Sequence, residues 1–95
     1  MSLRFEWDPK KAKSSLAKHG ISFTEAITVF ADTLARVFDD EAHSGEERRE
    51  IIIGHSAQGN LILVSFTARG DRLRILSARK ATQTERKDYE ENVSS

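Results

Sequence analysis

The 95-residue chain has no cysteine and a single proline. Without cysteine there is no disulfide framework and no thiolate metal site, so redox chemistry says nothing about compartment. No apolar run approaches the roughly 18–20 residues needed to span a bilayer. The opening stretch, Met1-Ser2-Leu3-Arg4-Phe5-Glu6-Trp7-Asp8, lacks the apolar core of a signal peptide, so a cytoplasmic location is expected. His19, His43 and His55 have no partner at i+4 and no Cys/His cluster, which leaves no metal-ligand spacing. Glycine-rich phosphate loops and dinucleotide turns are missing too. Neither metal nor cofactor is expected. An excess of charge of one sign is also lacking, with 15 Lys+Arg against 15 Asp+Glu.

That neutral total conceals a sorted distribution. Residues 1–20 carry net +3, residues 21–50 net −5, and residues 51–95 net +2. From Arg69 to Lys87, seven cations (Arg69, Arg72, Arg74, Arg79, Lys80, Arg86, Lys87) face two acids, Asp71 and Glu85. Screening confines surface fields to about 8 Å at physiological salt, so this local balance decides what the surface attracts. The segment Arg72 to Ala81 alternates like a strand yet holds four of those cations. It suits a sheet that offers positive charge to a polyanion.

Ninety-five residues make one domain, 1–95, with a core small enough for a partner to add stability. Leu3 to Trp7 alternates as a first strand. Asp8 caps a helix with Pro9 at its first position, and Gly20 stops it after Lys18 and His19. Ala12, Leu16 and Ala17 should face inward. Ser22 with Glu25 forms a capping-box pattern for a second, short helix ending near Asp32. Leu34 to Phe38 reads as a strand and 39–47 as a loop or long turn. The acidic segment 39–50 is a solvated loop, or else a docking strip or an intramolecular counterweight to the basic face. Strands follow at Arg49–His55, Leu61–Ala68 and Leu73–Arg79, joined by Ser56–Asn60 and Arg69–Asp71 turns. Thr82 and Glu85 should cap a last helix to about Glu91, with fraying from Asn92 onward. Short turns between neighbouring strands imply an antiparallel meander with helices packed on it, an α+β fold.

Phe5-Glu6-Trp7-Asp8, Lys18-His19-Gly20-Ile21-Ser22-Phe23, Glu25-Ala26 and Val29-Phe30-Ala31-Asp32 occur in the order seen in BrnT-type toxins. Arg49, Ile53-Gly54, Phe66-Thr67-Ala68-Arg69, Arg74 through Ala81, Glu85-Arg86 and Tyr89 continue the pattern. The chain therefore resembles that family along nearly its whole length. The resemblance implies a RelE-like fold: an N-terminal strand plus two helices, a meander sheet and a C-terminal helix. It also implies a type II toxin that acts as a ribonuclease on RNA and inhibits translation. The partner would be a DNA-binding ribbon-helix-helix antitoxin that represses the operon, with a homodimer or higher assembly possible with it. The alternatives on such a fold are a non-catalytic RNA- or protein-binding module and a gyrase-directed poison. One position departs from the family pattern: Ser15 stands where Asn is usual, three residues before Lys18.

Metal-independent RNA cleavage needs an acceptor for the 2′-OH proton, cations for the phosphate and an acid for the departing 5′-oxygen. Arg79 is the leading catalytic candidate, with His55 and His19 as titratable partners. Lys80, Lys18, Arg49 and Arg69 are candidate RNA contacts. Each has a plainer role open to it: Arg79 pairing with segment 39–47, His55 closing a turn, His19 ending a helix. Tyr89 reads as packing and Trp7 as core. Simple alternation puts Leu73, Ile75, Ser77 and Arg79 on one face, with Arg72 and Arg74 on the other. Successive hairpins would set Arg49 and Arg69 at one end of the sheet and His55 and Arg79 at the other, about 20 Å apart. On that geometry Arg49 and Arg79 could not share a phosphate.

Overall fold

The computed structural model describes residues 3–43, 45 and 47–93. Met1, Ser2, Ser44, Glu46, Ser94 and Ser95 lie outside them, and with the last two lies part of the expected fraying. Strand β1 (Arg4–Trp7) leads into helix α1 (Pro9–His19). Asp8 caps α1 by accepting the Lys10 N–H at 2.9 Å, and Gly20 closes it at φ 74°, its N–H bonded to the Leu16 carbonyl. Only glycine takes that left-handed conformation without steric cost. Helix α2 (Phe23–Ala26) starts at Ser22, whose Oγ accepts the Glu25 N–H at 3.0 Å. It then tightens into a 3-10 turn, Ile27–Ala31, so the second helix comes in two pieces.

Strands β2 (Arg36–Asp39), β3 (Glu50–His55), β4 (Leu61–Arg69) and β5 (Arg72–Lys80) form the expected antiparallel meander. β2 begins two residues later than expected because Asp32 holds the chain in a turn. Its carbonyl accepts from Ala35 N–H and its Oδ1 from Leu34 N–H. β1 adds to β5 in parallel, giving five strands in the order β1-β5-β4-β3-β2. Helix α3 (Gln83–Val93) opens with the expected capping box: Glu85 N–H donates to Thr82 Oγ1, and Thr82 N–H to Glu85 Oε1. It runs two residues past Glu91. No helix among the described residues is long and apolar enough to cross a membrane.

The two sheet faces differ. On one, Ile21, Phe23, Ala26 and Val29 pack against Ile52, Ile62, Val64, Phe66, Ile75 and Ala78 as the main core. Phe30 lies between Phe5 and Phe66 with ring centroids 5.1 Å from each, contacts worth about 0.5–1.5 kcal/mol apiece. Trp7 meets Phe23 edge-on within the same layer, as expected for a core residue. On the other face α3 packs, through Tyr89 onto Ile53, Leu61 and Leu63. The remainder of that face is open.

α1 corrects one expectation. Leu16 is 47% exposed and Ala17 is exposed, while Ser15 is buried. β1 pairs with β5 only over Arg72–Ile75, so beyond Ile75 the edge of β5 is covered by α1. A buried strand carbonyl there needs a donor. Ser15 Oγ supplies it to Ala78 at 3.2 Å, so a polar residue takes the inward position.

Candidate active site

A single extra residue reorganises the basic strand. Ser65 pairs with Ser77, but Phe66 pairs with Ile75, which leaves Leu76 as a bulge in β5. A bulge breaks strict alternation. Arg74, opposite Thr67, and Arg72, opposite Arg69, therefore share the open face with Arg79, opposite Leu63. Leu73 and Ile75 turn to the core instead. The expectation that Arg72 and Arg74 point away from Arg79 is thus reversed.

The same register places Arg79 in the row Ile53–Leu63–Arg79, one row inside the end where His55, Leu61 and Ala81 lie. Arg79 and Arg49 border one cleft of about 330 Å³, which corrects the expectation that they are too distant to cooperate. Ile51, Leu63 and Leu76 are its apolar lining, and Ser65, Ser77, Asp40 and Lys11 its remaining polar groups. Lys11 comes from α1, which lies beside β5 where β1 has ended. Three cations from three separate segments thus surround two hydroxyls and one carboxylate.

Arg79 is held in place. Its guanidinium forks onto Glu85, Nη1 to Oε1 at 2.7 Å and Nη2 to Oε2 at 2.8 Å, so its partner is on α3 and not in segment 39–47. The fork lowers the Glu85 carboxyl to about 2, against partial burial that opposes the shift, and raises Arg79 further. Other arginines of the open face also meet acids: Arg74 with Glu6 at 2.7 Å, Arg72 with Glu6 at 3.9 Å and Arg69 with Glu47 at 3.0 Å. Segment 39–47 meets this basic face through Glu47, while its Asp39 pairs with the adjoining Arg48 at 2.7 Å.

The other candidates are dispersed. His55 donates its backbone N–H to Asp32 Oδ2 at 2.7 Å, with Nδ1 3.9 Å from the same oxygen. Its ring meets Tyr89 edge-on at 5.8 Å, and it does not line the cleft with Arg79. Tyr89 is buried, as a packing residue should be, with its hydroxyl donating to the Leu34 carbonyl at 3.2 Å. Burial pushes the Tyr89 phenol up. His19 sits half-buried at the C-terminal end of α1, and Lys18 beside it is exposed. Lys80 pairs with Ile62 and so points to the helix-covered side. Arg69 ends β4 away from the cleft.

Lys11, Ser65, Ser77 and Glu85 were not singled out as site residues from sequence. Glu85 alone carried a signal, its capping-box position six residues after Arg79. The others become neighbours through the bulge and the packing of α1, which no local pattern encodes.

The model of the family described as "Ribonuclease toxin, BrnT, of type II toxin-antitoxin system" matches residues 7–85. The crystal structure of the Brucella abortus ribonuclease toxin BrnT superposes with a TM-score of 0.67 at 28% sequence identity, over 86% of this chain and 100% of that one. A comparison with curated protein sequences finds no match. Strand, helices, sheet and closing helix agree with that structure, and the chain belongs to the BrnT family of ribonuclease toxins from type II toxin–antitoxin systems.

Proposed function

We propose that this toxin cleaves RNA without a metal ion in the cleft bordered by Arg79, Arg49 and Lys11. The observation that carries the reading is the approach of three cations, from β5, the residue before β3 and α1, to one cleft on the open face. In such a cleavage the 2′-oxygen bonds to phosphorus, the bond to the 5′-oxygen breaks, and negative charge builds on the non-bridging oxygens. Prepositioned guanidinium and ammonium groups stabilise that charge more than they stabilise the ground state. Arg79 is the proposed principal phosphate ligand, because a planar fork matches two phosphate oxygens. Arg49 and Lys11 bind the same group. Arg69, Arg72 and Arg74 extend the basic surface along which the RNA backbone runs. Lys18, at the end of α1, and Lys80, on the helix-covered side, could meet RNA only beyond that face.

Proton transfer is assigned to His55 and His19, because an imidazole can both accept and donate a proton. His55 supports this by lying on the same face as Arg79, one row further along the sheet. Asp40, which borders the cleft, is the competing acceptor.

The test is cleavage of a structured RNA in excess EDTA. Cleavage should persist and should fall about 10²–10³-fold in Arg79→Ala, the scale of losing one prepositioned donor. Loss of activity in EDTA overturns metal independence, and full activity in an Arg49→Ala/Arg79→Ala double variant overturns the site. Asp40→Asn against His55→Ala identifies the proton acceptor.

A type II system implies an antitoxin partner. Its assignment as a ribbon-helix-helix DNA-binding protein rests on the family resemblance. Co-purification of the neighbouring small gene product, followed by a mobility shift on its operator DNA, tests that assignment.

A further inference from the structure

β2 is an edge strand, exposed along its whole length, with Val37 and Phe38 52% and 48% exposed. An uncovered edge bearing apolar side chains invites pairing with another strand. Which backbone groups are open follows from the ladder. Asp40 N–H donates to the Arg49 carbonyl, so residues 36, 38 and 40 are the ones bonded inward to β3. Residues 37 and 39 therefore direct their N–H and C=O groups outward.

We propose that two copies of this chain join through these edges, β2 antiparallel to β2, into one continuous sheet. The two-fold axis passes through Phe38, with Val37 of each copy bonded to Asp39 of the other. In that register Phe38 faces Phe38, and Arg36 of each copy faces Asp40 of the other, twice by symmetry. All these side chains lie on the open face, since Arg36 pairs with Ile53 and Phe38 with Ile51. Aromatic and opposite-charge cross-strand pairs are the ones that stabilise a sheet. Sliding one copy by two residues in one direction sets Asp39 against Asp39. The opposite slide sets Leu34, not Arg36, across from Asp40. A slide by one residue turns core side chains outward. The sequence of β2 is thus complementary to itself in one register. Phe38 also borders a groove of about 480 Å³ between β2 and α3, so the second ring stands at its mouth.

The pairing brings Arg36 of one copy to Asp40, a wall residue of the RNA cleft in the other.

Sedimentation equilibrium of the full chain without antitoxin tests this. The apparent mass should rise with concentration from 10.7 kDa to twice that value. Arg36→Glu alone and Asp40→Arg alone should each hold the chain at the monomer mass, and the two together should restore the dimer. Phe38→Lys, an exposed change that leaves the core untouched, should also give a monomer with an unchanged circular dichroism spectrum. A monomer at every concentration overturns the proposal, including the case where only the antitoxin covers this edge. A dimer indifferent to the charge swap and to Phe38→Lys overturns it equally, because its interface lies elsewhere.

Discussion

Arg79 and Glu85 are joined fork to fork across the junction between β5 and α3, at 2.7 and 2.8 Å. The same carboxylate caps α3 through Thr82 N–H. Helix start and guanidinium orientation are therefore one device. If Arg79 binds the phosphate, Glu85 is a positioning residue that acts through it. A neutral amide has one acceptor oxygen and cannot receive both prongs. Glu85→Gln should slow single-turnover RNA cleavage by about 10-fold, less than the loss from Arg79→Ala. Faster cleavage in Glu85→Gln would instead mark the carboxylate as a competitor of the phosphate.

The pair also makes stability depend on pH. Glu85 is depressed from its ordinary 4.5 to about 2, first of all by the Arg79 hydrogen bonds. A depressed carboxyl stabilises the fold above its unfolded value, and that contribution disappears as pH falls through the folded value. The affected window is therefore pH 4.5 down to about 2. Partial exposure and screening keep the effect small. Arg79→Met should show a shallower decline of melting temperature across that window than the unaltered chain. Parallel declines in both proteins would show that other carboxyls control acid unfolding.

Local signals carried much of the fold. Asp8-Pro9, Gly20, Ser22 with Glu25, and Thr82 with Glu85 all act at the backbone within a few residues, and each marks the boundary it should. The site was less legible for a physical reason. Which way a strand side chain points depends on counting by two, and the bulge at Leu76 adds one to the count. Nothing in Arg74-Ile75-Leu76-Ser77 announces it, because aliphatics suit either face. That one residue moved Arg72 and Arg74 across the sheet. The inward position of Ser15 was hidden in a different way, since it depends on where β1 stops.

Gly54 is required by close approach. A Cβ built there would meet Ala35 Cβ at 2.8 Å, Asp32 Oδ2 at 2.9 Å and Val29 Cγ1 at 3.1 Å. Asp32 cannot yield freely, because its carboxylate already accepts from Leu34 and His55 N–H. Gly54→Ala should cost about 1–3 kcal/mol, the usual penalty for overpacking, and show as a lower urea midpoint. An unchanged midpoint would mean that the 32–35 turn gives way without cost.

Ser15 tests how the exposed edge of β5 is closed. Its side chain is buried, and its hydroxyl donates to Ala78, whose neighbour is the cleft residue Arg79. Ser15→Ala removes the donor and leaves a strand carbonyl without its partner, which costs about 1–3 kcal/mol. Because α1 carries both Ser15 and Lys11, a looser contact with β5 should also displace Lys11 from the cleft. The variant should therefore lose stability in urea titrations and, at a temperature where it is still folded, bind RNA more weakly. Ser15→Thr keeps the hydroxyl and should recover most of both. If Ser15→Ala lowers stability while RNA binding stays intact, the α1–β5 contact serves the fold alone.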